Sequence, residues 1–152
     1  MKGTKTLTII KPKACENKYT GDIIKRIENE GFVIKKMVKL QLTCSEAAFF
    51  YKEHTQKPFF QELCTYIASG PIVVMQLEKA NAVADFRKLL GDSPNPAEAT
   101  KGSLRAEYGI DINYNAVHGS DSDLASAREA AFFFGESCCK TSANCNSDSA
   151  CS

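Results

Sequence analysis

Between Lys5 and Ile10, Thr and Lys alternate with Leu and Ile until Lys11-Pro12, which predicts a buried strand ended by proline with Lys11 at its carboxyl end. Ile23, Ile24 and Ile27 then recur at helical spacing behind Thr20-Gly-Asp and ahead of Gly31, the pattern of an amphipathic helix with an N-cap and a terminal glycine. Phe32, Ile34, Val38, Leu40 and Leu42 share one parity and predict a second strand with one buried face, interrupted by Lys36. Thr43-Cys-Ser-Glu46 is a capping box opening a helix that carries Phe49, Phe50 and Tyr51. Pro58 fits the first turn of the next helix, whose Phe60, Leu63, Cys64 and Ile67 fall at helical spacing. Ser69-Gly-Pro71 breaks it, and 72–77 reads as a third strand. Asn81 caps another helix with Val83, Phe86, Leu89 and Leu90 inward and Gly91 at its end. Residues 92–101, rich in Pro and Ala, read as a loop, and 103–108 as a helical turn stopped by Gly109. A last strand ends at His118 and a last helix runs from about 122 to 133. The order β-α-β, helices, β-α-β fits an α+β, ferredoxin-like split βαβ sandwich.

Composition narrows this picture little but usefully. The chain has 152 residues, 43% of them hydrophobic, which suits one core and predicts a single domain over 1–135. Beyond Gly135, residues 136–152 are mostly Ser, Asn, Cys and Ala without apolar period, and predict a disordered tail. With 19 basic against 18 acidic residues, no global field points to nucleic acid or membrane as the main partner. No long apolar stretch follows the N-terminus, so a cytoplasmic protein is expected. The seven cysteines are odd in number and unevenly spread, which argues for thiols; zinc at Cys138, Cys139, Cys145 and Cys151 is the alternative, without paired Cys-x-x-Cys clips to support it.

The candidate chemistry centres on 115–122, Asn-Ala-Val-His-Gly-Ser-Asp-Ser, where one of only two histidines stands at a strand end ahead of a helix N-terminus. A side chain placed there is rigidly supported yet open to a ligand, and neutral imidazole is well populated near neutral pH. His118 is thus a candidate nucleophile or general base; taken alone, it reads rather as a histidine packed at a strand end and satisfied by its neighbours.

This octapeptide resembles the active-site signature of the nucleoside diphosphate kinases. The likeness extends in order and spacing over about residues 4–134: Ile10-Lys11-Pro12, 51–54, Lys57-Pro-Phe-Phe60, Ser69-Gly-Pro71, Arg87 with Leu90-Gly91, Gly102-Ser-Leu-Arg105 and 126–129. The resemblance implies a four-stranded antiparallel sheet with helices on one face. It implies that a nucleoside triphosphate, mainly ATP, passes its terminal phosphate to an imidazole nitrogen of His118, Nδ1 by the family's habit, and that a nucleoside diphosphate then takes it in a ping-pong cycle. Glu129 would orient the imidazole, and Lys11, Arg87 and Arg105 would bind phosphate. Tyr51 would lie near the reactive phosphate and His54 near an inner one. Asn115, with Lys11, would bond the sugar 3′-hydroxyl. Phe59 would stack on the base, an interaction worth about 1 to 3 kcal/mol that accepts every base. Mg2+ would arrive on the nucleotide phosphates rather than in a dedicated cage.

The bland readings stand beside these. On sequence alone Glu129 reads rather as an exposed helix charge, while His54 reads equally as a surface histidine and Phe59 as a core residue beside Phe60. The chain also departs from the family pattern. Lys13 stands where Asp normally follows Lys-Pro, and Ser93 replaces the family's threonine and would still offer a hydroxyl to the inner phosphate. Pro94 looks inserted after it, and the tail is unlike those that set assembly, leaving hexamer, tetramer and dimer open as homo-oligomers. Two rival classes remain: a non-catalytic nucleotide-binding or scaffold relative, and an RNA-binding module, which would show aromatics on its central strands. No Gly-x-x-x-x-Gly-Lys-Ser/Thr loop is present to suggest a P-loop kinase.

Overall fold

Strand β1 (Lys5–Ile10) forms where the alternation places it and becomes an inner strand of the sheet. With β2 (Val33–Leu40), β3 (Ile72–Glu78) and β4 (Val117–Gly119) it makes a four-stranded sheet in the order β2-β3-β1-β4, every neighbouring pair antiparallel. The helices are α1 (Pro12–Glu16), α2 (Thr20–Asn29), α3 (Cys44–Phe50), α4 (Phe60–Ile67), α5 (Ala82–Leu90), α6 (Leu104–Tyr108) and α7 (Asp123–Phe134), with a 3-10 turn at Lys52–His54. This computed structural model describes residues 3–112 and 114–135. The expected tail at 136–152, with Cys138, Cys139, Cys145 and Cys151, lies outside the described residues. The α+β class and the ferredoxin-like strand order are those the element sequence predicts.

The helices cover both faces of the sheet rather than one. Val73, Met75 and Leu77 of β3 join Ile23 and Ile27 of α2 and Phe86, Leu89 and Leu90 of α5 in one buried cluster. Ile72 and Val74, of the opposite parity, join Ala47 of α3, Cys64 and Ile67 of α4 and Ala130 of α7 in another. An inner strand that is apolar on both parities leaves two faces to shield from water.

Strand β2 reaches both clusters through a bulge. Its register against β3 slips between Ile34 and Lys36, so Ile34 packs with the α2 and α5 cluster while Val38 and Leu40 pack with the other. Residues that share one parity in sequence therefore serve opposite faces, and the single buried face expected for β2 is not what forms.

Several local signals act as their chemistry requires. Thr43 and Glu46 close the capping box on α3 in both directions. Ser103 and Ser122 cap α6 and α7 through their hydroxyls, and Gly31 and Gly135 take positive φ after α2 and α7. Three others differ. Tyr19, not Thr20, is the N-cap of α2, and Pro58 precedes α4 rather than opening it. Asn81 stands at the N-cap of α5 in the left-handed region, and its side chain makes no capping bond. The proline that stops β1 starts α1, so Lys11 is fixed at a strand-to-helix junction.

Candidate active site

β4 pairs with the end of β1, Ile9 opposite His118 and Ile10 opposite Val117, which brings Lys11 and the 115–122 segment together. Thr8 Oγ1 donates to the His118 carbonyl at 2.8 Å, and the Lys11 amide donates to the Ala116 carbonyl at 2.8 Å. The Val117 amide reaches back to the Asn115 carbonyl at 3.0 Å around Ala116, whose φ is +80°. Such a γ-turn is strained for a residue with a Cβ, and strain of this kind persists where surrounding structure over-determines the backbone. Gly119 is required by close approach, since a Cβ there would sit 2.9 Å from Phe86 Cδ2.

His118 is partly exposed, and its Nε2 lies 3.2 Å from Glu129 Oε1. Ser120 Oγ donates to the same oxygen at 2.6 Å. Burial by itself would raise the Glu129 carboxyl, but His118, Ser120 and Arg128 outweigh it and hold the group below its ordinary range. A carboxylate only accepts, so Nε2 carries the hydrogen, and in a neutral imidazole Nδ1 then keeps its lone pair. The Phe50 ring stands edge-on to the imidazole with centroids 6.0 Å apart.

Three cations border this dyad. Lys11 is 6% exposed, and its Nζ donates to Asn115 Oδ1 at 3.0 Å. Burial, then the neighbouring Arg105, push its amine down to about 8. Arg105 is pushed down to about 10 by burial and by Arg87, and its buried Nε has no hydrogen-bond partner among the described residues. Arg87 Nη1 donates to the Gly119 carbonyl at 3.4 Å, next to the imidazole. None of the three makes an ion pair among the described residues, so their charge faces one another uncompensated. That is an arrangement a polyanion relieves.

Tyr51, at the C-cap of α3, buries a hydroxyl that has no partner among the described residues, and burial followed by the Glu129 charge pushes its phenol up. It stays a donor. His54 sits between the Tyr51 and Phe59 rings, 6.1 and 6.2 Å away by centroids. Phe59 is 45% exposed while Phe60 packs against the core, the assignment that helical spacing favours. A cleft of about 310 Å³ runs between Lys11, Phe59, Leu63, Tyr66, Ile112 and Asn115, with Pro94 on its rim. Ser93, one residue away, accepts from the Asn95 amide at 3.1 Å.

The structure thus brings His118, Glu129, Lys11, Asn115, Arg87, Arg105 and Tyr51 around one edge of the sheet, with His54 and Phe59 at the mouth. Sequence reasoning left Ser120 without a role. This serine lies just past β4, and only the fold brings its hydroxyl to the Glu129 oxygen that His118 also meets. Sequence reasoning also did not find Tyr66, which folding alone brings to the cleft.

The chain is similar to known proteins in both sequence and fold. The family model for nucleoside diphosphate kinase matches residues 4–138. A nucleoside diphosphate kinase of Geotalea uraniireducens is 46% identical over 132 residues, covering 87% of this chain and 96% of its own. The solved structure of the Aquifex aeolicus nucleoside diphosphate kinase superposes with a TM-score of 0.84 at 37% identity, over 86% of this chain and 94% of that one. A nucleoside diphosphate kinase of Halobacterium salinarum, solved in complex with CDP, superposes with a TM-score of 0.83 at 34% identity, over 87% and 88%. Sequence and shape agree over nearly all the described residues, and the chain belongs to the nucleoside diphosphate kinase family.

Proposed function

We propose that this nucleoside diphosphate kinase carries phosphate on His118. One observation supports the reading most: Glu129 and Ser120 fix the imidazole by Nε2, leaving Nδ1 free beside cations that have no carboxylate partner among the described residues. In the first half-reaction the Nδ1 lone pair attacks the terminal phosphorus of a nucleoside triphosphate, chiefly ATP. The bond to the bridging oxygen breaks, and a nucleoside diphosphate leaves with that oxygen's negative charge. The positive charge gained by the phosphoimidazole is shared with Glu129 through the Nε2 hydrogen. A second nucleoside diphosphate reverses these steps, its terminal oxygen attacking the phosphohistidine.

Lys11, Arg87 and Arg105 supply positive charge where negative charge spreads over the transferred group, and Tyr51 offers its hydroxyl hydrogen there. Asn115 and Lys11 hold the sugar hydroxyl, and Phe59 at the mouth stacks the base. His54 and Ser93 reach toward the inner phosphate, Ser93 by its hydroxyl hydrogen. The cationic lining suits phosphate oxygens, which leaves a Mg2+ ion to be held by those oxygens and water; when bound it screens charge between the phosphates. The CDP complex of the Halobacterium salinarum relative supports a nucleoside diphosphate as ligand. No helix among the described residues is long and apolar enough to cross a membrane, and we place the reaction in the cytoplasm, with a hexamer, tetramer or dimer as the assembly. Residues 1–135 form the catalytic domain in this reading.

Incubation with γ-labelled ATP tests it. The protein is expected to take up label that survives alkali, is lost in acid and chases onto unlabelled GDP, while His118→Gln takes up none. Normal exchange by His118→Gln would overturn the mechanism. Absent label in wild type with nucleotide still bound would favour a non-catalytic relative, with Pro94 on the cleft rim as the first place to look.

A further inference from the structure

One side chain outside the roles assigned above touches two parts of the site at once. Arg128 of α7 donates from Nη1 to Glu53 Oε2 at 2.7 Å, and its Nη2 lies 3.8 Å from Glu129 Oε2. Glu53 belongs to the 3-10 turn Lys52–His54, next to His54 and two residues after Tyr51, on the arm that goes on to Phe59. Glu129 gives its other oxygen to His118 and Ser120. A single guanidinium therefore spans the arm that meets the nucleotide and the carboxylate that aims the nucleophile.

Other contacts between these parts are made by aromatic rings. Phe49 stacks on Phe132, and Phe50 packs on Phe132 and Phe133, at centroid distances of 5.8, 5.4 and 5.1 Å. Such ring contacts hold α3 against α7 but tolerate sliding and rotation, whereas a planar guanidinium fork has fixed directions. The ion pair adds a directional tie where the arm turns toward the cleft.

We propose that Glu53 and Arg128 are positioning residues for phosphoryl transfer, setting the register of the Tyr51–His54–Phe59 arm against the Glu129–His118 dyad. The inference rests on the phosphohistidine reading above. Both side chains are substantially exposed, 57% for Glu53 and 41% for Arg128. Exposed ion pairs contribute little to stability, so loss of this one is expected to register in the reaction more than in melting.

The test is the single-turnover rate constant for His118 phosphorylation by ATP, which does not depend on the fraction of active protein. Glu53→Gln and Arg128→Gln are each expected to slow it about three- to tenfold, and the double variant no more than the slower single, as partners in one contact behave. Arg128→Lys is expected to recover part of the rate, reaching Glu53 without the second arm of the fork. Lys35→Gln, which removes an exposed pair between Lys35 of the far edge strand β2 and Glu78 of β3, is expected to match wild type. Double-variant losses that equal the product of the singles, or singles that phosphorylate at the wild-type rate, would overturn the proposal. Failure of wild type itself to label His118 would instead remove the reading on which it rests.

Discussion

Lys11 shows how a residue's setting becomes a measurable property. Its amine is pushed down to about 8 by burial and by Arg105, so the charged form carries a cost in the folded protein below that pH. Between about pH 8 and 10.5 the unfolded chain binds the proton that the folded chain has released, so this group makes stability rise with pH across that window. Polyanion binding favours the charged amine and must draw a proton from solvent. Calorimetric titration with a nucleoside diphosphate at pH 8.5, in buffers of different ionisation enthalpy, is expected to show uptake in wild type and little in Lys11→Met. Identical heats in all buffers would contradict this. Tyr51 offers a different split. Its buried hydroxyl lacks a partner among the described residues, so Tyr51→Phe is expected to raise stability by about 1 kcal/mol while slowing phosphate transfer at least tenfold, read by melting and by turnover together. Most of these residues were legible as motif positions, His118, Lys11, Arg87 and Arg105 among them. Their exposure was not: a sequence names Lys11 and Tyr51 but does not say that one amine is desolvated beside an arginine and one phenol is left unpaired.

At the scale of elements, the site is made where β4 crosses from γ-turn to helix cap. Gly119 is held there by closeness to α5: an added Cβ would meet Phe86 at 2.9 Å. Gly119→Ala is expected to cost about 1 to 3 kcal/mol in denaturant unfolding and to lower turnover with it, because relief of the overlap moves the strand that carries His118. A variant with unchanged stability would show that α5 yields instead. Local chemistry read correctly where the interaction is local, as in the Thr43–Glu46 capping box, whose partners lie within one turn. It read less well where a distant neighbour decides. Asn81 has a capping side chain but adopts φ +56° and makes no capping bond. The even-numbered apolar residues of β2 looked like one face, yet the slip after Ile34 sends Val38 and Leu40 to the other. A bulge is set by pairing against β3, and the β2 sequence carries no mark of it.

For the whole molecule, two apolar clusters flank one sheet, and the candidate site lies at the carboxyl end of β1 where that sheet's edge meets α7. The described members of both clusters end at Phe134, and Gly135 closes α7 in the left-handed region with its amide on the Ala131 carbonyl. Deletion of 136–152 is therefore expected to leave a single cooperative thermal transition and unchanged exchange between ATP and GDP; a broadened melt or lost exchange would count against it. The sequence by itself determined the strands, the longer helices and the α+β class, because spacing, caps and prolines act over a few residues, and it carried the motif positions that resemble the family's. The family resemblance carried by those motifs is what named cations as the expected phosphate ligands and an imidazole as the expected nucleophile. Only the tertiary structure decided that the sheet is covered on both faces, that β2 changes face midway and that Ser120 braces Glu129. It alone decided that Arg128 reaches Glu53 across 75 residues of chain. These depend on which surfaces meet, and contacts between distant segments are fixed by packing the whole chain at once rather than by any stretch of it.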